Sequence, residues 1–190
     1  MAALLDNVIW RALAGSQQGY SVGTEGARRY APGFSALLGF ADPARPDFAG
    51  LAPFCGPDEP LLCSDWTGPM PAGWRLEEEK TLYRMIWAGA PPFAEGLPEA
   101  VRLGPEHARS ALELAQLTQP GPFGPRTIEL GEYFGVFEDG RLVAMAGERL
   151  EAGSLREISG VCTDPRYRGR GLARRLVTRL IGRQLARGQT

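Results

Sequence analysis

The run Arg166-Tyr167-Arg168-Gly169-Arg170-Gly171-Leu172-Ala173 sets three arginines around two glycines, directly after Val161-Cys162-Thr163 and the stop Asp164-Pro165. Glycine permits unusual backbone angles, and without a side chain it lets a bulky anion come close to the amides. A helix opening at Leu172 would point its unpaired N–H groups at this turn, so the pattern suits a phosphate or diphosphate. From Arg156 onward nine arginines stand against Glu157 and Asp164, a local +7 in a chain whose net charge is −1. The charge is therefore concentrated where an anion would lie, and nothing global draws the chain to nucleic acid or a membrane. Lys80 is the only lysine, so each arginine cluster also has the plainer reading of a coding bias.

Two nearby alternatives fail on context. A dinucleotide-binding loop wants its glycines after the first strand of a βαβ run, with an acidic residue about twenty positions later. Here hairpins come first, and no acidic residue follows Asp164. The Walker pattern needs Gly-Lys-Ser or Gly-Lys-Thr, and neither occurs.

The elements that must position this loop are legible from Val101 onward. A short strand over 101–103 meets Gly104-Pro105-Glu106, a helix start, and apolar residues from Ala108 to Leu117 recur at helical spacing until Pro120 stops them. Residues 133–137 and 142–146 read as a hairpin through Asp139-Gly140, and 155–163 as a strand after the turn at Gly153. The spacing of Leu172, Leu176, Val177, Leu180 and Ile181 predicts a final helix to about Arg187, with its arginine face solvated. The first hundred residues are irregular and rich in Gly and Pro: a helix over 7–13, an extended segment over 27–40, a helical stretch over 48–54, a strand over 61–64 and partial strand over 74–87. A boundary falls at about 89–99, giving a region 1–95 of its own and a loop-bearing domain 96–190.

The order strand, helix, hairpin, strand, glycine loop, helix over 101–190 resembles the GNAT acetyltransferase superfamily, whose loop signature is Gln or Arg, two residues, Gly, one residue, Gly or Ala. The signature fits twice, as Arg166 with Gly169 and Gly171, and as Arg168 with Gly171 and Ala173. The run 156–165, with Met145-Ala146-Gly147-Glu148-Arg149 upstream, looks most like the FR47-like group of that superfamily. The resemblance implies a mixed α/β (α+β) fold with a mostly antiparallel sheet flanked by helices, and acetyl-CoA as cosubstrate with no metal. Residues 168–173 would bind the pyrophosphate with backbone N–H groups, Arg166 and Arg170 would add charge, and Val161, Cys162 and Thr163 would pair with the pantetheine arm. The acyl group would pass directly to an amine of a small molecule or peptide, with a carboxylate taking the amine proton.

Strand alternation puts Glu157 on one face with Ser159, Val161 and Thr163, which makes it the first candidate base, and Glu148 on the neighbouring strand is the second. Either glutamate alternatively is solvated or ion-paired. His107 reads as a surface residue and Cys162 as a core thiol. The proline-rich loop around Phe123 would border the acceptor or serve as a rigid connector. In the superfamily a further strand follows this last helix, then a helix often carrying a tyrosine acid. The chain as given therefore reads as truncated after Thr190 or completed by another chain, with an exposed strand edge prone to dimerisation or strand exchange. Region 1–95 matches no motif; a degenerate second copy of the fold or an acceptor-binding extension would account for it.

Cys55, Cys63 and Cys162 form no C-x-x-C pair, so neither a disulfide framework nor a zinc site is indicated and a reducing cytoplasm is expected. No targeting segment or apolar stretch of spanning length is read. Two other classes stand beside the enzyme: a non-catalytic acyl-CoA-binding or sensing module, and a nucleic-acid binder using Arg-Gly-Arg-Gly, which lacks the interleaved aromatics such surfaces need.

Overall fold

Val8, Ile9, Ala12 and Leu13 recur at helical spacing, and all four are buried in helix α1 (Val8–Ala14). Three antiparallel strands follow, β1 (Ser21–Gly23), β2 (Ala27–Tyr30) and β3 (Leu37–Phe40). The extended segment expected over 27–40 is thus two strands, parted by a loop in which Gly33 takes a φ of 93°. Helix α2 (Phe48–Leu51) continues as a 3-10 turn over Ala52–Phe54, and β4 (Leu62–Cys63) pairs in parallel with β3. The partial strand expected over 74–87 does not form. Trp74 packs against Phe48, with ring centroids 5.0 Å apart, but Leu82, Tyr83 and Met85 lie on the surface, the last two at 87% and 92% exposure. Apolar spacing records which side chains seek burial, but a strand also needs a neighbouring edge for its backbone.

Strand β5 (Ala100–Arg102) leads through a 3-10 turn at Pro105–His107 into helix α3 (Ala108–Thr118). His107 is not merely a surface residue, since its Nδ1 accepts the Gly104 N–H at 3.0 Å and so closes the start of this helix. Then come β6 (Tyr133–Glu138), β7 (Arg141–Ala152), β8 (Leu155–Thr163) and helix α4 (Leu172–Ala186). Asp139 and Gly140 make the tight turn between β6 and β7 with φ of 49° and 74°. Strands β5-β6-β7-β8 form one antiparallel sheet in that order, and β1-β2-β3-β4 form another. The fold is mixed α/β and mostly antiparallel, as the sequence implied. The computed structural model describes residues 5–66, 68–90, 92 and 97–190.

The second sheet is covered on both faces. Phe134, Val136, Ala144 and Ala146 meet Leu172, Leu176 and Leu180 of α4, whereas Tyr133, Met145 and Cys162 meet Ala111, Leu114 and Ala115 of α3. The far ends of β7 and β8 run on into the first half of the chain, where Leu150, Ala152 and Leu155 share a core with Leu13, Tyr30 and Leu37. The arginines of α4 are engaged rather than solvated: Arg183 and Arg187 pair with Glu132, and Arg179 lies over the Phe134 ring at 4.6 Å. Among the described residues no helix is long and apolar enough to cross a membrane.

Candidate active site

Asp164 ends β8 and starts the loop. Its carboxylate accepts the Arg166 backbone N–H at 3.0 Å and pairs with the Arg166 guanidinium at 2.8 Å and with Arg141 at 3.4 Å. These contacts, Arg166 first, hold its carboxyl down at about 2. After the 3-10 turn at Pro165–Tyr167, Gly169 and Gly171 take φ of 79° and 71°, angles that glycine adopts at no steric cost. Gly171 is the N-cap of α4 and brings no side-chain cap, so the first amides of α4 are left for a ligand. The three loop arginines are not equivalent. Arg166 is committed to Asp164, Arg170 pairs with Glu138 at 2.5 Å, and Arg168 and Arg170 line a groove of about 510 Å³.

That groove runs from the amides of residues 169–174 along Thr163, Cys162 and Val161, with Thr118 and Pro120 at the end of α3 as its other wall. The next residue inward is Gly160, with a φ of 62°. Here the register slips: Met145 faces Cys162 and Gly147 faces Ser159, so three steps on β8 answer two on β7. Gly160 is the extra residue of a β-bulge, and a bulge reverses strict alternation. The pairing therefore corrects the expected face: Glu157 and Ser159 lie with Cys162, while Val161 and Thr163 lie opposite.

Glu157 sits one turn of pleat from this bulge, on the α3 face. Arg149 of β7 grips its carboxylate with two hydrogen bonds of 2.8 and 2.9 Å, leaving about a third of the glutamate side chain exposed. Glu148 faces Ile158 across the ladder and lies on the α4 side. It is 1% exposed and accepts from Gln184 at 3.1 Å, from the Glu132 N–H at 3.2 Å and from Arg187. The two candidate carboxylates thus occupy opposite faces of one sheet. Cys162 is buried in the α3 core, and burial pushes its thiol up.

The loop after α3 closes the same end. Phe123 packs edge-on against Tyr133, with ring centroids 5.9 Å apart. The first half of the chain holds this loop: Gly124 and Arg126 donate backbone N–H groups to Phe34 and Gly33 at 2.9 and 2.8 Å, and Ser35 donates to the Pro122 carbonyl at 3.3 Å. Arg126 also stacks over the Phe34 ring at 4.2 Å. Sequence reasoning missed Arg149 and Tyr133, whose types and spacing resemble any structural residue. The bulge had one available sign, an isolated glycine inside a strand pattern. Among the described residues no cluster of three His, Cys, Asp or Glu side chains could hold a metal ion.

Comparison with known proteins follows the same lines. The acetyltransferase (GNAT) family profile matches residues 105–189. A crystal structure from Novosphingobium aromaticivorans, described as an acetyltransferase of the GNAT family, shares 37% identity and superposes with a TM-score of 0.82, covering 97% of this chain and 82% of that one. Two more distant matches overlap only in part and carry no further argument. The Escherichia coli ribosomal-protein-S18-alanine N-acetyltransferase is 22% identical over 46% of this chain and 59% of its own, TM-score 0.38. A Mycobacterium tuberculosis structure in complex with CoA is 17% identical over 47% and 59%, TM-score 0.42. No curated protein matches the sequence. With the loop, the bulged strand and the near full-length superposition together, the chain belongs to the GNAT family of acetyltransferases.

Proposed function

We propose that the protein transfers an acetyl group from acetyl-CoA directly to an amine of a small molecule or peptide. The observation that carries this is the groove from the uncapped start of α4 along residues 163–161, which ends one residue short of the bulge at Gly160 on the strand that bears Glu157. The pyrophosphate would be held by backbone N–H groups of residues 168–173, in the register led by Arg168, because Arg166 is occupied by Asp164. Val161, Cys162 and Thr163 would flank the pantetheine arm, and its thioester would reach Gly160. Within the family, the FR47-like group is the nearest sequence likeness, and three free cysteines fit a reducing cytoplasm.

Glu157 is the proposed base, acting directly or through one water. Only the neutral amine has the lone pair that attacks the carbonyl carbon, so its surplus proton must be taken up. The C–N bond forms, the C–S bond breaks, and the sulfur leaves as thiolate to be protonated. Arg149 keeps the carboxylate aimed while the loop bearing Phe123, clamped by Gly33 to Ser35, would border the acceptor. The face occupied by Glu148 suits a structural ion pair better than this role.

The test is a thermal shift with acetyl-CoA followed by thiol release over a panel of amines. Ligand that binds only the folded state at 100 times its Kd should stabilise the protein by about 2.7 kcal/mol. No shift at millimolar acetyl-CoA defeats the reading, and a shift with no thiol release from any amine reduces it to a binding module.

A further inference from the structure

Tyr133 is the first residue of β6, fully buried, and its hydroxyl has no hydrogen-bond partner. A buried unpaired O–H forfeits its hydration and receives nothing in return, so phenylalanine would ordinarily be the better residue at such a place. The surroundings are built around this ring all the same. Tyr133 faces Gly147 in the ladder, and any Cβ on Gly147 would overlap the ring, so the tyrosine lies flat across β7 toward β8. There it meets a second glycine: a Cβ on Gly160 would stand 3.1 Å from the ring edge and 3.4 Å from the hydroxyl oxygen. One glycine lets the ring lie down and the other leaves space at the tip. The hydroxyl therefore lies at the bulge, and the next residue, Val161, is the innermost residue of β8 that lines the groove.

Building on the acyl-CoA reading, we infer that the Tyr133 hydroxyl is a catalytic hydrogen-bond donor to the carbonyl oxygen of the bound acyl group. When the amine nitrogen bonds to the carbonyl carbon, the C=O electron pair moves to oxygen, and a fixed donor stabilises that oxyanion until the C–S bond breaks and the carbonyl reforms. The proton stays on Tyr133 throughout. Burial pushes the hydroxyl's pKa well above the usual tyrosine range, which suits a group that donates a hydrogen bond without giving up its proton. The hydroxyl lies beside Gly160, three residues along β8 from Glu157, which Arg149 holds.

The experiment compares acetyl-CoA with CoA, which differ by the acyl carbonyl, and needs no acceptor. Calorimetry should show wild-type protein binding acetyl-CoA roughly five- to tenfold more tightly than CoA, the worth of one hydrogen bond. Tyr133→Phe should bring the ratio close to one, leave CoA affinity unchanged and leave Tm equal or higher, since the atom removed has no partner in the fold. The infrared carbonyl band of carbon-13-labelled acetyl-CoA should shift to lower frequency on wild-type protein and return in the variant. A wild-type ratio near one, an unshifted band, or an equal ratio in Tyr133→Phe overturns the role. Wild-type protein that binds neither ligand defeats the acyl-CoA reading itself, and this inference with it.

Discussion

Glu157, the proposed base, takes its geometry from its neighbours. Its carboxylate is neither buried nor loose: Arg149 fixes both oxygens from the adjacent strand, and the guanidinium is in turn held at the Pro122 carbonyl at 3.5 Å. Replacing Glu157 by Gln keeps the shape and one acceptor for Arg149 but removes the base. Thiol release with a competent amine should fall by about 10²- to 10⁴-fold. Acetyl-CoA affinity by calorimetry should stay within a few-fold of wild type. Turnover that survives within twofold would remove Glu157 from the mechanism. The sequence singles out Glu157 as a candidate, whereas its surroundings were not readable there. Strand alternation treats every residue as one step, and the backbone at Gly160 takes an extra one. The same slip hid Tyr133, because a ring that crosses two strands to reach a bulge leaves no mark in the spacing of its own strand.

The elements of residues 100–190 were legible because each has a local physical signature. A two-residue turn at Asp139-Gly140 needs left-handed angles, Pro120 and Pro165 forbid continuation, and the apolar stripe of α4 repeats at the helical period. The stretch 74–87 has a similar supply of apolar residues but no partner edge, and pattern alone cannot distinguish the two situations. Helix α4 presents the loop only while its stripe stays seated on the sheet. Leu176 and Leu180 are fully buried between α4 and the β6-β7 surface. Leu176→Ala should cost about 2–5 kcal/mol by urea denaturation, from lost burial and the cavity left behind. Because amides proposed to hold the pyrophosphate belong to the start of this helix, acetyl-CoA should restore part of the lost Tm. A change under 1 kcal/mol would mean that α4 is held chiefly by its arginine pairs.

At the scale of the whole molecule, those pairs form one charged seam. Glu132, just before β6, is gripped by Arg183 of α4 and by Arg187 just past its end, and these bonds, Arg183 first, depress its carboxyl from the usual 4.5 to about 2. A depressed carboxylate stabilises the fold fully above its unfolded value and loses that contribution as pH falls toward the folded one. Stability should therefore drop between about pH 4.5 and pH 2, and Glu132→Gln should flatten that slope in urea midpoints measured at pH 6 and pH 3. An equal slope in the variant would assign the acid sensitivity elsewhere.

The core shared by Leu13, Tyr30 and Leu37 with Leu150, Ala152 and Leu155 bears on the order in which the chain is made. Helix α1 and strands β1 to β3 leave the ribosome more than a hundred residues before the hairpin that covers them, and Gln17 must wait for the Arg149 carbonyl to receive its amide at 2.7 Å. During that interval their apolar surface is exposed to the cytosol or to a chaperone. The clamp at Gly33 to Ser35 closes only when the loop bearing Pro122, Gly124 and Arg126 has also been synthesised, so the second half of the chain completes the half that came first.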